Sequence, residues 1–316
     1  MRAAVVGVLG QSPRYQEFPE PVPGDGEVLI RMRTAGLHPI VKALVAGSHY
    51  ASGGELPMVP GVDGVGTLED GKRVYVTFAR KPWGTMCERT VAPLARLLPL
   101  PDGIDDAQAA AIANPGMSAW LSLKERAGLQ QGESVLVMGA TGVAGQVALQ
   151  AAKLLGAKRI VAAGRNVDAI ARQSADRIIA LGEPEGKVRE AFTEEAVSGI
   201  DVVIDYLWGR PTELLLEALA KGFKPSATRA TRLVEVGESA GKTITLPGAT
   251  LRSIDLRLMG SGFGSVSLEG VIAAIPTLFE MAAKGTLRVD VEPVPLVEVE
   301  AAWSRVEKGR RIVFTI

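Results

Sequence analysis

The sequence predicts an α/β chain in which a β-rich first section is followed by a doubly wound parallel sheet of the dinucleotide-binding kind. Three observations carry this. Residues up to about 117 are broken by glycine and proline into short apolar runs, the pattern of strands and turns. From Met117 onward helical and strand patterns alternate, which calls for a parallel sheet with helices on both faces. Within that part stands Ser134 to Gly156, SVLVMGATGVAGQVALQAAKLLG, where an apolar run, a glycine turn and an amphipathic helix follow without interruption.

In chain order, residues 3–9 read as a short apolar strand and residues 19–24 as an extended link. Residues 28–33 alternate in part like a strand with one wet face, and 40–45 form a short helix. Residues 59–67 hold too much glycine and proline for a regular sheet interior, so a kinked, barrel-like strand is expected there. A turn and strand follow at 71–76. Residues 105–113 are alanine-rich and helical, Asn114-Pro115-Gly116 is expected to break that helix, and 118–127 to form another. Six strands of the parallel sheet are read at 135–138, 159–163, 178–181, 201–205, 232–236 and 256–260, with a helix at 211–221. The tail reads as a helix at 268–284, a strand at 289–294, a helix at 299–308 and a strand at 311–316, a β-rich return to the first domain. The domains expected are 1–117, 118–262 and 263–316.

The glycine turn is also the expected site. A helix start offers unpaired N–H groups and the positive end of its dipole, and glycines let a pyrophosphate approach the backbone. Gly139, Gly142 and Gly145 are spaced G-x-x-G-x-x-G, a departure from strict G-x-G-x-x-G. With a strand before and a helix after, Gly139, Ala140, Thr141, Gly142, Val143 and Gly145 are expected to bind a dinucleotide. The competing explanation, close helix-on-sheet packing with no ligand, needs only Gly145. The second strand ends at Gly164-Arg165-Asn166, where an acidic residue would bind a free ribose 2′-hydroxyl and a cation a 2′-phosphate. Arg165 stands there, and the nearest acid, Asp168, is already inside the next helix. Arginine offers planar, charge-assisted bonds to phosphate, so NADPH is expected rather than NADH; the alternative is a solvated surface arginine. Gly237 follows the fifth strand and Gly260, Ser261 and Gly262 the sixth, at carboxyl ends where ligands bind, and Asp205-Tyr206 ends the fourth.

At 316 residues the chain is long enough for two domains. Lysine plus arginine equals aspartate plus glutamate, 35 against 35, so nothing points to nucleic-acid or membrane steering. No signal peptide is expected, and no apolar run approaches the ~20 residues of a membrane span. The single cysteine, Cys87, excludes an intrachain disulfide and fits a reducing compartment, so a cytoplasmic chain is expected. Cys87, His38 and His49 lack paired ligand spacing, so no metal is expected, a His-His-carboxylate set being the arrangement left open.

The order of domains resembles the medium-chain dehydrogenase/reductase superfamily, and within it the zinc-independent quinone oxidoreductases. The matching pieces are Ala35-Gly36-Leu37-His38-Pro39, residues 60–66, Gly71-Lys72-Arg73-Val74, residues 115–120, 139–156 and 201–205, and Met259-Gly260-Ser261. The resemblance covers nearly the whole chain. It implies a GroES-like catalytic domain beside a Rossmann domain, nicotinamide contacts at Ser118 and after the fifth and sixth strands, and a homodimer paired through residues 256–260. Two departures matter. Zinc alcohol dehydrogenases carry a ligand cysteine and a His-Glu pair where this chain has Leu37-His38-Pro39 and Val62-Asp63, and quinone reductases usually have asparagine in place of His38 and a longer loop before Gly71. Short-chain dehydrogenases are excluded, because none of Tyr15, Tyr50, Tyr75 and Tyr206 has a lysine four residues on.

Hydride transfer needs no metal when the acceptor delocalises the incoming electrons, as a quinone, an enone or an enoyl thioester does. Tyr50, in the glycine-rich loop 47–54, is the first candidate donor. Medium-chain enoyl-thioester reductases carry a catalytic tyrosine in a similar Gly-x-Tyr loop, ahead of a Leu-Pro like Leu56-Pro57. His38 is the second candidate, with a structural histidine as the alternative. Asp63 is read as fixing local backbone and Cys87 as a small buried residue. The expected activity is zinc-independent, NADPH-dependent hydride transfer to quinones or other activated carbonyl or alkene acceptors. An enoyl-thioester reductase and a non-catalytic NADPH-binding scaffold are the alternatives.

Overall fold

The apolar runs of the first section are too short to bury surface alone and gain stability by pairing across one sheet. The computed structural model describes residues 1–77, 79–222, 230–262, 264–306 and 309–316. Strands β1 (Arg2–Val5) and β2 (Arg14–Glu17) pair antiparallel. Then come β3 (Glu27–Gly36), helix α1 (Pro39–Val45), β4 (Asp63–Thr67), β5 (Arg73–Thr77), β6 (Arg89–Pro93), β7 (Leu98–Pro99) and helix α2 (Asp106–Leu121). β3 is the longest strand and the hub: it pairs antiparallel with β4, β6 and the C-terminal strand, and slips register between Met32 and Thr34.

The second series is β8 (Ser134–Met138), α3 (Val143–Leu154), β9 (Arg159–Gly164), α4 (Val167–Ala171), β10 (Arg177–Ala180), α5 (Glu185–Ser198) and β11 (Val202–Asp205). It continues with α6 (Gly209–Lys221), β12 (Thr231–Glu235), α7 (Gly248–Ser253), β13 (Leu256–Gly260) and α8 (Leu268–Ala283). These six strands form an all-parallel sheet in the order β10-β9-β8-β11-β12-β13. The winding therefore reverses between β8 and β11, which makes that junction the switch point of the sheet. β8 is buried along its whole length, and Leu136, Met138, Val161 and Val203 share a core with Phe192 of α5 and Leu214 to Leu216 of α6. The buried Glu195 of α5 is held by Arg159 and Arg177, so a charge that would be costly alone is paired.

The chain closes with β14 (Val291–Pro295), α9 (Val299–Trp303) and β15 (Arg311–Thr315), and β15 pairs with β3 and β14. The C-terminal β-rich piece thus rejoins the first sheet. Two compact units result, Met1–Asn114 with Ile275–Ile316, and Pro115–Ala274. Their divisions fall inside α2 and α8, where the sequence placed them at 117/118 and 262/263; Phe263 lies outside the described residues.

Several local expectations are corrected. The first strand ends at Val5, and Val6 makes a single bridge to Met58. The strand expected over 59–67 is regular only from Asp63. The helix break at residues 114–116 does not occur: α2 runs through Pro115 and gives way to a π turn over Ser122–Arg126. Proline removes one helical donor, but Ala109 to Ala113 are wholly buried, and that packing holds the helix together. The helix expected over 299–308 ends at Trp303, and residues 307 and 308 lie outside the described residues. Strands β2, β6 and β7 and helices α5 and α7 were not foreseen.

Gly36 closes β3 where a Cβ would stand 2.3 Å from His38 Nε2 and 2.7 Å from Ala110 O. Gly36→Ala is expected to destabilise the protein by about 1–3 kcal/mol in urea unfolding through overpacking. Gly7 has nothing within 4 Å of an added Cβ, and Gly7→Ala should stay within about 0.5 kcal/mol of the parent. Equal stabilities for the two variants would contradict this account of the β3 end.

Candidate functional site

The carboxyl ends of β8 and β9 meet at the glycine turn. Gly139 takes φ +84°, a backbone state that favours glycine, and its N–H and that of Ala140 donate to Ala163 O at 2.9 and 3.0 Å. Gly145 lies where a Cβ would stand 2.3 Å from Gly139 O and 2.7 Å from Ala140 Cα, so α3 sits directly on the turn. Gly142 behaves differently. It caps α3 with an ordinary extended backbone, φ −76°, and an added Cβ would meet only Gly139 O, at 3.6 Å. Neither conformation nor internal packing requires glycine there. What its missing side chain leaves is open space in front of the first amides of a 12-residue helix with no side-chain cap. That is a cradle for an anion, and phosphate chemistry fits it.

The tip of β9 supplies a cation. Arg165 is exposed, and among the described residues no hydrogen bond or ion pair holds its guanidinium. Asn166 caps α4, its Oδ1 accepting from Ala169 N at 3.1 Å. A Cβ on Gly164 would meet Thr141 Cγ2 and Ile170 Cδ1 at 2.9 Å each, so this glycine brings the two loops together.

Across the switch point, β11 ends in a tightly determined turn. The buried Asp205 carboxylate accepts from Leu207 N at 2.8 Å, Trp208 N at 3.1 Å and Thr212 Oγ1 at 2.5 Å. Burial raises its pKa, and these three donors oppose the rise. Trp208 is held at φ +54°, the one left-handed non-glycine among the described residues. Tyr206 N donates to Met138 O at 3.2 Å, and Tyr206 O accepts from Ser239 N and Ser239 Oγ at 3.3 and 2.8 Å. The Tyr206 hydroxyl is buried and faces Ser118 of α2. Glu235, at the end of β12, is half-buried, and burial first, then Asp205, raises its pKa. Gly237 N donates to Asp205 O at 3.2 Å, Ser261 N to Glu235 O at 2.8 Å, and Gly262 N to Ser265 Oγ at 2.8 Å. Gly260 O accepts from Arg126 Nε at 2.8 Å.

One edge of one sheet therefore gathers Ser118, Gly139 to Val143, Gly145, Gly164 to Asn166, Gly237 and Gly260 to Gly262. The two catalytic candidates lie in the other unit and differ in setting. Tyr50 is 74% exposed, with its ring centroid 4.1 Å from that of His49. His38 is fully buried, its Nε2 2.9 Å from Asp63 Oδ1, while Tyr75 OH donates to Asp63 Oδ2 at 2.7 Å. Asp63 is thus the centre of an enclosed polar trio that sequence reasoning missed; the signal was two polar residues, His38 and Asp63, each following an apolar residue in a buried run. Cys87 is buried, donates to Gly84 O and Arg89 O, and burial pushes its thiol up to about 12, which leaves it inert at neutral pH. Among the described residues no cluster of three or more His, Cys, Asp or Glu is placed to hold a metal ion, and no helix is long and apolar enough to cross a membrane.

No family model matches the sequence. Over 99% of its length the chain is 27% identical to the "Probable NADPH-dependent quinone reductase tdiC" of Emericella nidulans, covering 99% of that protein. It is 29% identical to human quinone oxidoreductase over 63% of this chain and 60% of that one. Among solved structures, the quinone oxidoreductase of Thermus thermophilus, also determined as its complex with NADPH, matches with a TM-score of 0.79 at 29% identity over the whole of both chains.

The two glycines of the turn are expected to separate experimentally. Gly145→Ala should cost about 1–3 kcal/mol in urea unfolding, because helix and turn must part. Gly142→Ala should leave stability within about 0.5 kcal/mol of the parent. A large loss at Gly142 would show that the space before α3 is filled by the protein itself.

Proposed function

We propose that this chain, a quinone-oxidoreductase-like medium-chain dehydrogenase/reductase, is an NADPH-dependent reductase passing hydride to quinones or other activated carbonyl or alkene acceptors without a metal. The observation that carries the reading is the open cradle before α3 at the sheet's switch point, with an unengaged arginine at the tip of the neighbouring strand. The tdiC protein, a probable NADPH-dependent quinone reductase, and the Thermus enzyme, also determined as its complex with NADPH, support the cofactor.

The residues fit that cofactor piece by piece. Amides of Thr141 and Val143 would hold the pyrophosphate, where the α3 dipole favours negative charge, while the Gly142 N–H donates within the turn to Gly139 O at 3.1 Å. Arg165 would pair with the 2′-phosphate. Ser118, Gly237 and Gly260 to Gly262 would take the nicotinamide half, on the β11–β13 side of the switch point. When bound, NADPH supplies the hydride. Tyr50 would donate a hydrogen bond to the acceptor oxygen as negative charge develops there, its ring offering a flat apolar face. We assign His38 a positioning part: enclosed against Asp63, it holds the Gly36 to Pro39 corner rather than touching the acceptor. Cys87 is buried and His38 engaged, which supports hydride transfer without a metal ligand set. The edge strand β13, with Arg257 and Leu258 exposed, supports a homodimer formed by pairing that strand with its copy. The lone reduced cysteine supports a cytoplasmic setting.

The activity is tested by following NADPH oxidation with 1,4-benzoquinone, 9,10-phenanthrenequinone and crotonyl-coenzyme A in parallel. Turnover with the quinones is expected; turnover confined to the thioester would favour an enoyl reductase, and silence with tight NADPH binding a scaffold. Arg165→Ala should raise the Kd for NADPH by about tenfold or more while leaving NADH binding unchanged, the effect of losing one charge-assisted contact. Equal losses for both cofactors would remove Arg165 from the phosphate site. Tyr50→Phe should lower kcat by about tenfold or more with the NADPH Kd unaltered, and an unchanged rate would exclude Tyr50 from the chemistry.

A further inference from the structure

The least satisfied polar group at the carboxyl edge is the hydroxyl of Tyr206. It is buried, and among the described residues it completes no hydrogen bond, although its backbone is fixed on both sides by Met138 O and Ser239. Native proteins rarely leave a buried hydroxyl without a partner, and such exceptions call for a reason. The tyrosine occupies a particular place. It is the first residue after β11, across the switch point from the glycine turn, and its Cβ would stand 3.3 Å from a Cβ added to Gly139. The group facing its hydroxyl is the side chain of Ser118, which is only half-buried, on a helix turn where Ser122 Oγ already donates to Ser118 O at 2.6 Å.

The geometry of the sheet says which half of a dinucleotide would lie there. Arg165 marks the β9 side and the α3 amides mark the middle, so a cofactor spanning the edge has its other half over β11 and β12. We propose that Tyr206 is a positioning residue for the nicotinamide half of NADPH: with the cofactor in place its hydroxyl, which completes no hydrogen bond among the described residues, donates to Ser118 Oγ, turning the Ser118 proton toward an oxygen of the nicotinamide ribose. Because the hydroxyl is buried, it acts through Ser118 and does not touch the cofactor. Burial also holds the phenol well above its ordinary value, so it remains a donor throughout the neutral range. Asp205, fully engaged by Leu207, Trp208 and Thr212, fixes the turn so that the tyrosine does not swing away.

This inference rests on the NADPH reading above, and the test separates the two. Binding of NADPH and of 2′,5′-ADP, which lacks the nicotinamide half, is measured by calorimetry for the natural protein, Tyr206→Phe, Ser118→Ala and the double variant. Tyr206→Phe is expected to weaken NADPH binding about fivefold to tenfold, the size of one hydrogen bond, with 2′,5′-ADP unchanged. Ser118→Ala should do the same, and the double variant should be no worse than the weaker-binding single. Equal weakening for both ligands, or independent losses in the double variant, would overturn the role. Ser118→Ala keeps the tyrosine and tests the pair even if Tyr206→Phe folds poorly. Tight NADPH binding unchanged in both singles refutes the inference alone, whereas a natural protein that binds neither ligand refutes the cofactor reading with it.

Discussion

Helix α3 begins where it does because Gly145 has no side chain. A Cβ at that position would stand 2.3 Å from Gly139 O, inside van der Waals contact, and the helix would have to lift off the turn. With glycine, the first turn of α3 lies against the end of β8, and its free amides face the open side of the sheet. The fully buried β8 anchors this arrangement, and β9 and β11 flank it in parallel register. Gly139 and Gly164 serve the same approach from the strand ends, whereas Gly142 serves none of it. A glycine that packing does not demand is the clearest local sign that something else comes close.

The polar accounting at this edge separates structural from available groups. Asp205 is buried and charged in a place that raises its pKa, yet three donors occupy it, and its work is to fix the turn after β11. The strained Trp208 is part of that turn, held by neighbours that over-determine its backbone. By contrast, the Arg165 guanidinium and the first α3 amides have no protein partner among the described residues, and the buried Tyr206 hydroxyl completes no hydrogen bond but faces Ser118. The cation and the amides share one edge and suit the two phosphate-bearing parts of a dinucleotide, and the hydroxyl stands behind them, next to Ser118.

The nucleotide unit was legible because its signals are local. An apolar run such as Val135 to Met138 can be buried on both faces only in a parallel sheet, and the glycine turn and α3 follow within a few residues. The polar trio of His38, Asp63 and Tyr75 was not legible, since it joins β4, β5 and a loop that no sequence period relates. Pro115 misled for a physical reason: local propensity argues for a break, and the burial of Ala109 to Ala113 overrides it. Ser118 was singled out by resemblance, but its facing of Tyr206 depends on how α2 lies against the end of β11. Strand β7 is only two residues long, and β6 and β7 owe their form to their partners β3 and β5, so propensity alone had little to read.

The central claim is that the carboxyl edge at the β8–β11 junction is where NADPH binds. Hydrogen–deuterium exchange of the natural protein, with and without NADPH, tests it most directly. The account predicts slowed exchange at the amides of Thr141 and Val143 and in the segment from Tyr206 to Gly209, with β1 and β2 unchanged. Saturating NADPH that leaves the glycine turn exchanging at its free rate, with protection elsewhere or nowhere, would contradict it.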